Sequence, residues 1–548
     1  MTDTTRTHRQ LLALVFALYA GLVVRFWFLA DDAFITFRYA RNWANGLGLA
    51  FNPGERPPVE GYSNFLWLIG ATLVEAVGAP IGWVAPVVSA ACGGALVWKT
   101  HDTLRNTLGV GATAALIGTA SLGLSPALGV WSTSGLETAP FALLVLMLTE
   151  RLVLRDAPDD WMVPAGLSML LVLIRAEGFA WIGVIAAAAL LTQPGQVRRV
   201  LSVGGAVAAL LAVYWSWRLY YFGTLLPHTA LVKVSGSPRA MVRGAKYVGL
   251  FWLTVLVPAV SLLGAVPTVT GPDARRWRAV LLMALAFPAY AVVVGGDFMP
   301  FGRLLVPGLP FAAILLGGGL DALLARGVDP RRVTGGALLL LLVGLQPASG
   351  RSLVPAALRR PLHFRMSDNV FLSERDRWAN QAENTAGFQR RGRALAQVAA
   401  PGSSVVAAAV GAVGYYSGIE VLDQHGLVTK EVAYRPIPSG PLTRSPGHDR
   451  HVPPAFFVKY SPTYLYARAV EGTISAGRMK DTLDQWQVPL SVMDSYVPDF
   501  HEVTAPDASE RAFLFVVRRS LPGEDPAKQW SGFPARRRAL NSELRAAR

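Results

Sequence analysis

For its first 350 or so positions the chain is a succession of apolar runs rich in Leu, Val, Ala and Gly, each parted from the next by a short polar stretch. A backbone that meets hydrocarbon must satisfy its own N–H and C=O groups, so runs of this kind fold as helices packed side by side in a bilayer. They lie near 11–30, 108–128, 136–153, 161–174, 178–192, 199–217, 247–268, 279–295, 304–322 and 332–347. Several fall short of the roughly 20 residues of an upright span, which predicts tilted or broken helices. The stretch 64–99 reads either as two short spans parted by Gly78-Ala79-Pro80 or as one span and a re-entrant piece. With 52% hydrophobic residues and a mean hydropathy of +0.37 over 548 residues, the chain is a polytopic α-helical membrane protein.

Charge orients it. Arg6, His8 and Arg9 precede the first run, and Leu29-Ala30-Asp31-Asp32-Ala33 makes a poor cleavage site, so that run reads as an uncleaved helix. The formal charge of +15 is compatible with nucleic-acid binding, yet Arg275, Arg276 and Arg278, and Arg326, Arg331 and Arg332, stand between spans where cytoplasmic anchors stand. A cytoplasmic N-terminus and basic loops at 99–107, 151–160, 193–199, 270–278 and 323–332 require an odd number of crossings. Eleven is the simplest, with 64–99 supplying one net crossing and the C-terminal segment facing outward. The single cysteine, Cys92, lies in an apolar run and excludes an intramolecular disulfide.

Under that topology almost every unusual polar group falls on the outer face. Asp31-Asp32 stands where the first run meets water, and carboxylates at such depth are costly unless something uses them. The alternative is a helix N-terminus whose dipole the two acids favour. In the following segment Phe34, Phe37 and Ala40-Arg41 recur at helical spacing, which predicts a helix in the membrane interface with its aromatic side chains toward lipid. Gly46-Leu47-Gly48 ends it, Asn52-Pro53-Gly54-Glu55-Arg56 turns the chain, and Glu60-Gly61-Tyr62-Ser63-Asn64 leads into the next run.

Further along, Trp131-Ser132-Thr133-Ser134-Gly135-Leu136-Glu137 combines hydroxyls, an aromatic face and an acid, a mixture suited to a sugar, or to a helix cap. Arg175 and Glu177 split an apolar stretch and either pair with each other or serve a ligand. His228 and Lys233, beside Tyr220-Tyr221-Phe222, and Arg303 in Gly295-Gly296-Asp297-Phe298-Met299-Pro300-Phe301-Gly302-Arg303 are groups that could hold a phosphate. Asp297 and Arg303 could equally form a salt bridge with each other.

From about Pro361 the long apolar runs cease and a soluble domain of roughly 185 residues is expected, large enough for its own core. Ser403 to Val410 reads as a buried strand, Gly411 to Gly418 as a short helix or turn, and Ile419 to Asp423 as a second strand, the start of an α/β layer. The glycine spacing is not that of a dinucleotide site. His448 and His451 lack the further close ligands of a zinc centre. The division expected is a transmembrane catalytic domain over 1–350, including the first external loop 31–63, and a soluble extracytoplasmic domain over 361–548.

These motifs carry a resemblance. Asp31 to Tyr39, the Phe51 to Arg56 turn and Val59 to Trp67 look like the first loop of polyprenyl-phosphate-dependent membrane glycosyltransferases of the GT-C fold. Gly135-Leu136-Glu137, Arg175 to Gly178, Gly296 to Arg303, Tyr415 to Asp423, Gly426-Leu427 and Gly447-His448 extend the similarity over much of the chain, toward the terminal arabinofuranosyltransferases of mycobacteria and corynebacteria. The resemblance implies an enzyme of the bacterial cytoplasmic membrane, working on its outer side. Its partners would be a polyprenyl-phosphate donor such as decaprenylphosphoryl arabinofuranose, a glycan acceptor and membrane lipid. It also implies Asp31 or Asp32 as catalytic base, Asp31 being preferred. Arg175, His228, Lys233 and Arg303 become phosphate contacts, and Arg38, Glu60, Tyr62, Glu137, Glu177, Asp297 and His448 belong with the substrate-binding groups. No resident cofactor is called for, although some relatives use a divalent cation. A hexose or mannose transferase shares the same logic, whereas a secondary transporter would place its charges near the membrane midplane and show paired repeats.

Overall fold

A computed structural model describes residues 3–155, 160–225, 227–233, 237–271, 274–350, 355, 357, 372–437, 446–471, 476–504 and 511–531. Two compact units emerge. The first comprises Met1–Ala30, Ser63–Ala382 and Gly440–Gly447, and the second Asp31–Tyr62, Glu383–Ser439 and His448–Arg548. The loop between the first two apolar runs thus groups in one unit with residues of the C-terminal segment. The expected start of the soluble domain at Pro361 lies outside the described residues.

The first unit is helical and opens with α1 (Asp3–Arg25). Among the described residues, six helices are long and apolar enough to cross a bilayer: Arg6–Arg25, Ile81–Thr107, Val197–Phe222, Ala274–Val294, Pro300–Ala325 and Pro330–Ser349. Pro238–Val255 and Val257–Thr268 make a seventh if that pair, bent by 91°, is one span. The bend sits at Leu256, which takes a positive φ of 57° immediately ahead of Val257-Pro258, where a proline removes a donor and clashes with the preceding turn. Phe65–Ala76, Ala112–Gly123, Met162–Ile174 and Gly178–Thr192 are apolar but shorter. Among the described residues, length and composition alone thus pick out six or seven spans, and the expected eleven would need the shorter apolar helices to cross as well. The ambiguous stretch 64–99 becomes the short helix Phe65–Ala76, a turn through Gly78, and the long helix from Ile81.

Small residues let these helices approach closely, the usual means of association where lipid offers no hydrophobic drive. A Cβ on Gly118 would lie 2.7 Å from the Ala313 carbonyl oxygen, and one on Gly319 would lie 2.4 Å from the Cα of Gly264. The glycine run Gly317-Gly318-Gly319 is thus a packing surface, with Trp277 against Gly318.

The second unit is built on a five-stranded mixed sheet in the order β2-β1-β3-β5-β4. Its strands are β1 (Ser404–Ala407), β2 (Glu420–Asp423), β3 (Tyr464–Glu471), β4 (Tyr496–Thr504) and β5 (Arg511–Arg519). β1 pairs in parallel with β2, Val405 opposite Val421, while β3, β5 and β4 form an antiparallel set. Val406, Phe457, Leu465, Leu483, Phe515, Val517 and Trp530 share one buried cluster. The expected β1 and β2 are both present, and the glycine-rich segment between them is the short helix Gly411–Ser417.

The loop helix α2 (Asp31–Ala44) packs on that short helix. Phe34 and Phe37 are 1% and 0% exposed; Phe34 meets Tyr415 and Tyr416 at ring distances of 5.5 Å, and Phe37 meets Tyr415 at 6.3 Å. The aromatic face expected to lie toward lipid faces this helix instead. At about 1.5–3 kcal/mol for each fully buried large apolar side chain, such burial is ample to hold α2 in place.

Candidate active site

Within the second unit the acid pair opens α2, and its carboxylates complement the positive end of that helix. Asp31 does more. Its Oδ2 accepts the Gly411 N–H at 3.1 Å and its Oδ1 accepts the Ala412 N–H at 2.8 Å. Burial pushes its carboxyl up to about 6, with Asp32 adding to the rise and the two amide donors and Arg391 opposing it. Desolvation disfavours the charged form of a carboxyl, so burial raises it even while two amide donors favour its charge.

Arg38, about two turns further along α2, is 3% exposed and engaged by the protein. It donates from Nε to the Phe51 carbonyl at 2.7 Å, from Nη1 to that of Gly414 at 2.5 Å, and from Nη2 to that of Ile419 at 2.7 Å. The sequence reading placed Arg38 among substrate contacts; here it is an internal clamp. Acid at one end and guanidinium at the other fasten α2 along the length of the Gly411–Ser417 helix, with charges that suit its dipole. Arg41 adds a hydrogen bond to the Tyr415 carbonyl at 3.0 Å and lies 3.5 Å from the centre of its ring.

Glu60 and Tyr62 are buried in the same unit. Tyr39 donates its hydroxyl proton to the Val59 carbonyl at 2.6 Å and accepts the Gly61 N–H at 2.9 Å, while its ring meets Tyr62 edge-on at 5.0 Å. A Cβ on Gly61 would lie 2.7 Å from Val428 Cγ1 and 3.0 Å from the Leu427 carbonyl oxygen. The Glu60-Gly61-Tyr62 motif therefore sits on the turn that follows β2. That turn is ordered by Asp423, whose carboxylate accepts the N–H groups of His425 at 2.7 Å and Val428 at 3.1 Å. His448 reaches the same place, its ring 4.3 Å from that of His425, and the His451 ring lies 4.9 Å from it.

The first unit gathers a second set. The Asn64 amide donates to Glu137 Oε2 at 2.7 Å, and Arg175 bridges Glu137 at 3.4 Å and Glu177 at 2.6 Å. Arg175 and Glu177 thus pair, as one of the two sequence readings had it, and share that pair with Glu137. Arg303 binds Asp297 at 2.7 Å above a floor made by Trp131, which donates to the Pro300 carbonyl at 3.1 Å. Here too the salt bridge forms. The loop carrying this pair is tightly turned: Phe301 and Gly302 both have positive φ, and a Cβ on Gly302 would lie 2.4 Å from the Phe251 ring. Tyr290 lies within electrostatic reach of all four of Glu177, Arg175, Arg303 and Asp297.

Other expectations fare differently. Ser132, Thr133 and Ser134 are completely buried. Ser132 accepts from Tyr19 and Thr133 bonds the Phe26 carbonyl, so the hydroxyls are packing, while the two ends of the segment, Trp131 and Glu137, join polar groups. His228 opens the helix His228–Lys233 and is fully buried, and the side chain of Lys233 lies outside the described residues. Among the described residues no group of three or more His, Cys, Asp or Glu is arranged to hold a metal ion.

Sequence reasoning missed Asn64, Tyr290, Arg391 and the Gly411-Ala412 amides. Arg391 was hidden in the run Arg390-Arg391-Gly392-Arg393, which reads as a solvated helix face. Backbone donors carry no sequence signal at all. The two ends of the first unit that flank the loop are pinned next to its polar groups: the Ala30 N–H donates to the Ser134 carbonyl at 3.0 Å, and the Ala176 N–H to that of Ser63 at 2.9 Å.

Comparison with known proteins agrees with this architecture. A family model described as a domain of unknown function (DUF8728) matches residues 376–510. The terminal beta-(1->2)-arabinofuranosyltransferase of Corynebacterium glutamicum is 32% identical over 349 residues, covering 55% of this chain and 49% of that protein. Its namesake from Mycobacterium tuberculosis is 31% identical over 366 residues, covering 58% and 56%. The chain thus spans about half the length of the curated relatives it matches. ArnT from Cupriavidus metallidurans, solved bound to undecaprenyl phosphate, superposes with a TM-score of 0.57 over 94% of this chain and 98% of that one at 14% identity. The chain is a polytopic membrane protein with a GT-C-like fold and a β-rich extramembrane domain.

Proposed function

We propose that this chain is an inverting arabinofuranosyltransferase. It moves arabinofuranose from a decaprenyl-phosphate donor to the non-reducing terminus of a cell-wall arabinan, forming a β-(1→2) link on the outer side of the bacterial cytoplasmic membrane. The observation that carries this reading is the acid pair, with Asp31 fixed by two amide donors and pushed up to about 6 by burial. The arabinofuranosyltransferase relatives support the choice of sugar, and the fold shared with an undecaprenyl-phosphate-bound protein supports the choice of carrier.

An acceptor hydroxyl is a weak nucleophile. Asp31 takes its proton as the oxygen bonds to the anomeric carbon, and the bond from that carbon to the phosphate oxygen breaks in the same displacement. Its electron pair leaves on polyprenyl phosphate, and the anomeric configuration inverts. Asp32 orients the acceptor and keeps the Asp31 carboxyl responsive by like charge. The leaving phosphate needs cationic donors, the role we assign to Arg175, Arg303, His228 and Lys233; Glu137, Glu177 and Asp297 pair with the two arginines or serve sugar hydroxyls, and Glu60, Tyr62 and His448 serve sugar hydroxyls.

Single Asp31→Asn and Asp32→Asn variants, assayed in detergent with synthetic polyprenyl-phosphoryl arabinofuranose and mannose, test the proposal. Loss of transfer by at least 100-fold in Asp31→Asn is expected, with arabinose the sugar transferred by the parent. Parental rates in both variants would refute the mechanism, and transfer of mannose alone would make the enzyme a hexose transferase.

A further inference from the structure

We infer that the first turn of the Gly411–Ser417 helix positions the catalytic base: its Gly411 and Ala412 amides hold the Asp31 carboxylate in the orientation that transfer requires. The inference rests on the function proposed above and gives the C-terminal domain a part in catalysis that its fold does not announce.

Three observations support it. Both carboxylate oxygens of Asp31 are engaged, one on each amide, so rotation about its side-chain bonds is arrested while lone pairs remain for an acceptor proton. Residue 411 must be glycine, because a Cβ there would stand 2.0 Å from the Asp31 carbonyl oxygen and 3.2 Å from its Cγ. The turn is itself fixed from its far end by Arg38, which binds the Gly414 and Ile419 carbonyls, so the amides cannot drift from the acid. The charged groups facing Asp31 are Asp32 from α2 and Arg391 from the helix Glu374–Val398. A base held within a fraction of an ångström of its attacking geometry gains rate that a freely rotating one forfeits.

A merely structural contact would alter stability alone, so the test reads the pH profile. Ala412→Pro deletes the shorter hydrogen bond at a first-turn position where proline is tolerated. Replacement of Ala412 by lactic acid deletes the same N–H with no added bulk, and serves if the proline variant does not fold. Either change is expected to lower kcat by about tenfold with the donor KM within twofold of the parent, and to move the acidic limb of kcat/KM upward by about one pH unit, because the carboxylate loses a donor that favours its charged form. An unchanged kcat and acidic limb in the lactic acid variant would overturn the inference while leaving the proposed function intact. A parent chain inactive with every polyprenyl-phosphate sugar would overturn both.

Discussion

The side-chain amide of Asn52 clasps the backbone of Val421 at both ends, Oδ1 accepting its N–H at 3.0 Å and Nδ2 donating to its carbonyl at 2.9 Å. β2 is an edge of the sheet, and a loop residue thereby takes the place of a neighbouring strand. Asn52→Ala orphans a buried donor and a buried acceptor, each worth about 1–3 kcal/mol. The C-terminal unit should lose about 2–4 kcal/mol, read as a lower denaturation midpoint in urea with transfer intact below it. A parental midpoint would show the clasp to be ornamental.

Arg38 gives a prediction of opposite kind to that of a ligand-binding arginine. Arg38→Met keeps most of the stem but leaves the Phe51, Gly414 and Ile419 carbonyls without their donor. Thermal stability should fall by about 3 kcal/mol or more, while the donor KM of the surviving folded protein stays within about twofold of the parent, a change of at most about 0.4 kcal/mol in binding. A raised KM at unchanged stability would restore Arg38 to the substrate.

Arg175 bridges two carboxylates in the helical unit. Arg175→Met should cost about 3–5 kcal/mol, since it strands Glu137 and Glu177 in a poorly hydrated place. The double variant Arg175→Met, Glu177→Gln should recover a good part of the folded yield, measured by size-exclusion chromatography in detergent. Equal yields in the single and double variants would show that the pair is not coupled.

The pH dependence has two components of contrary sign. Burial pushes Asp31 and Asp423 up to about 6, against an unfolded value near 4. The folded unit therefore binds protons before the unfolded chain does; this stability is full below about pH 4 and is lost as pH rises through 6. His425 works the other way. Burial, aided by His448 and His451, holds it down to about 3, so its stability is present above about 6.5 and is lost as pH falls toward 3. Urea midpoints from pH 4 to 8 should shift their optimum upward in Asp423→Asn and downward in His425→Gln. Transfer by the parent should meanwhile decline below about pH 6 as Asp31 takes a proton, without unfolding.

Much of this was legible in the residues. Apolar runs announced the membrane helices, and Asp31-Asp32, Arg175 with Glu177, and Asp297 with Arg303 stood out because charges beside such runs need a reason. β1 and β2 followed from their valine-rich runs and the glycines between them. What failed was partnership at long range. Phe34 and Phe37 have the spacing of a membrane-interface helix, and nothing local says that Tyr415 and Tyr416 will cover them. Arg38 has the look of a ligand contact because its acceptors are carbonyls, which every residue carries. Short helices such as Phe65–Ala76 defeat a count of crossings by length.

The union of α2 with a helix some 380 residues later has a consequence for how the protein is made. At translation rates of about 5–20 residues per second, Asp31 emerges roughly 20–80 seconds before Gly411 exists to receive it. Through that interval Phe34 and Phe37 lack the Tyr415 and Tyr416 rings that meet them in the folded chain. Seating of the 31–62 loop is therefore a late event, and a ribosome stalled before Gly411 would leave Asp31 without the two amides that hold it.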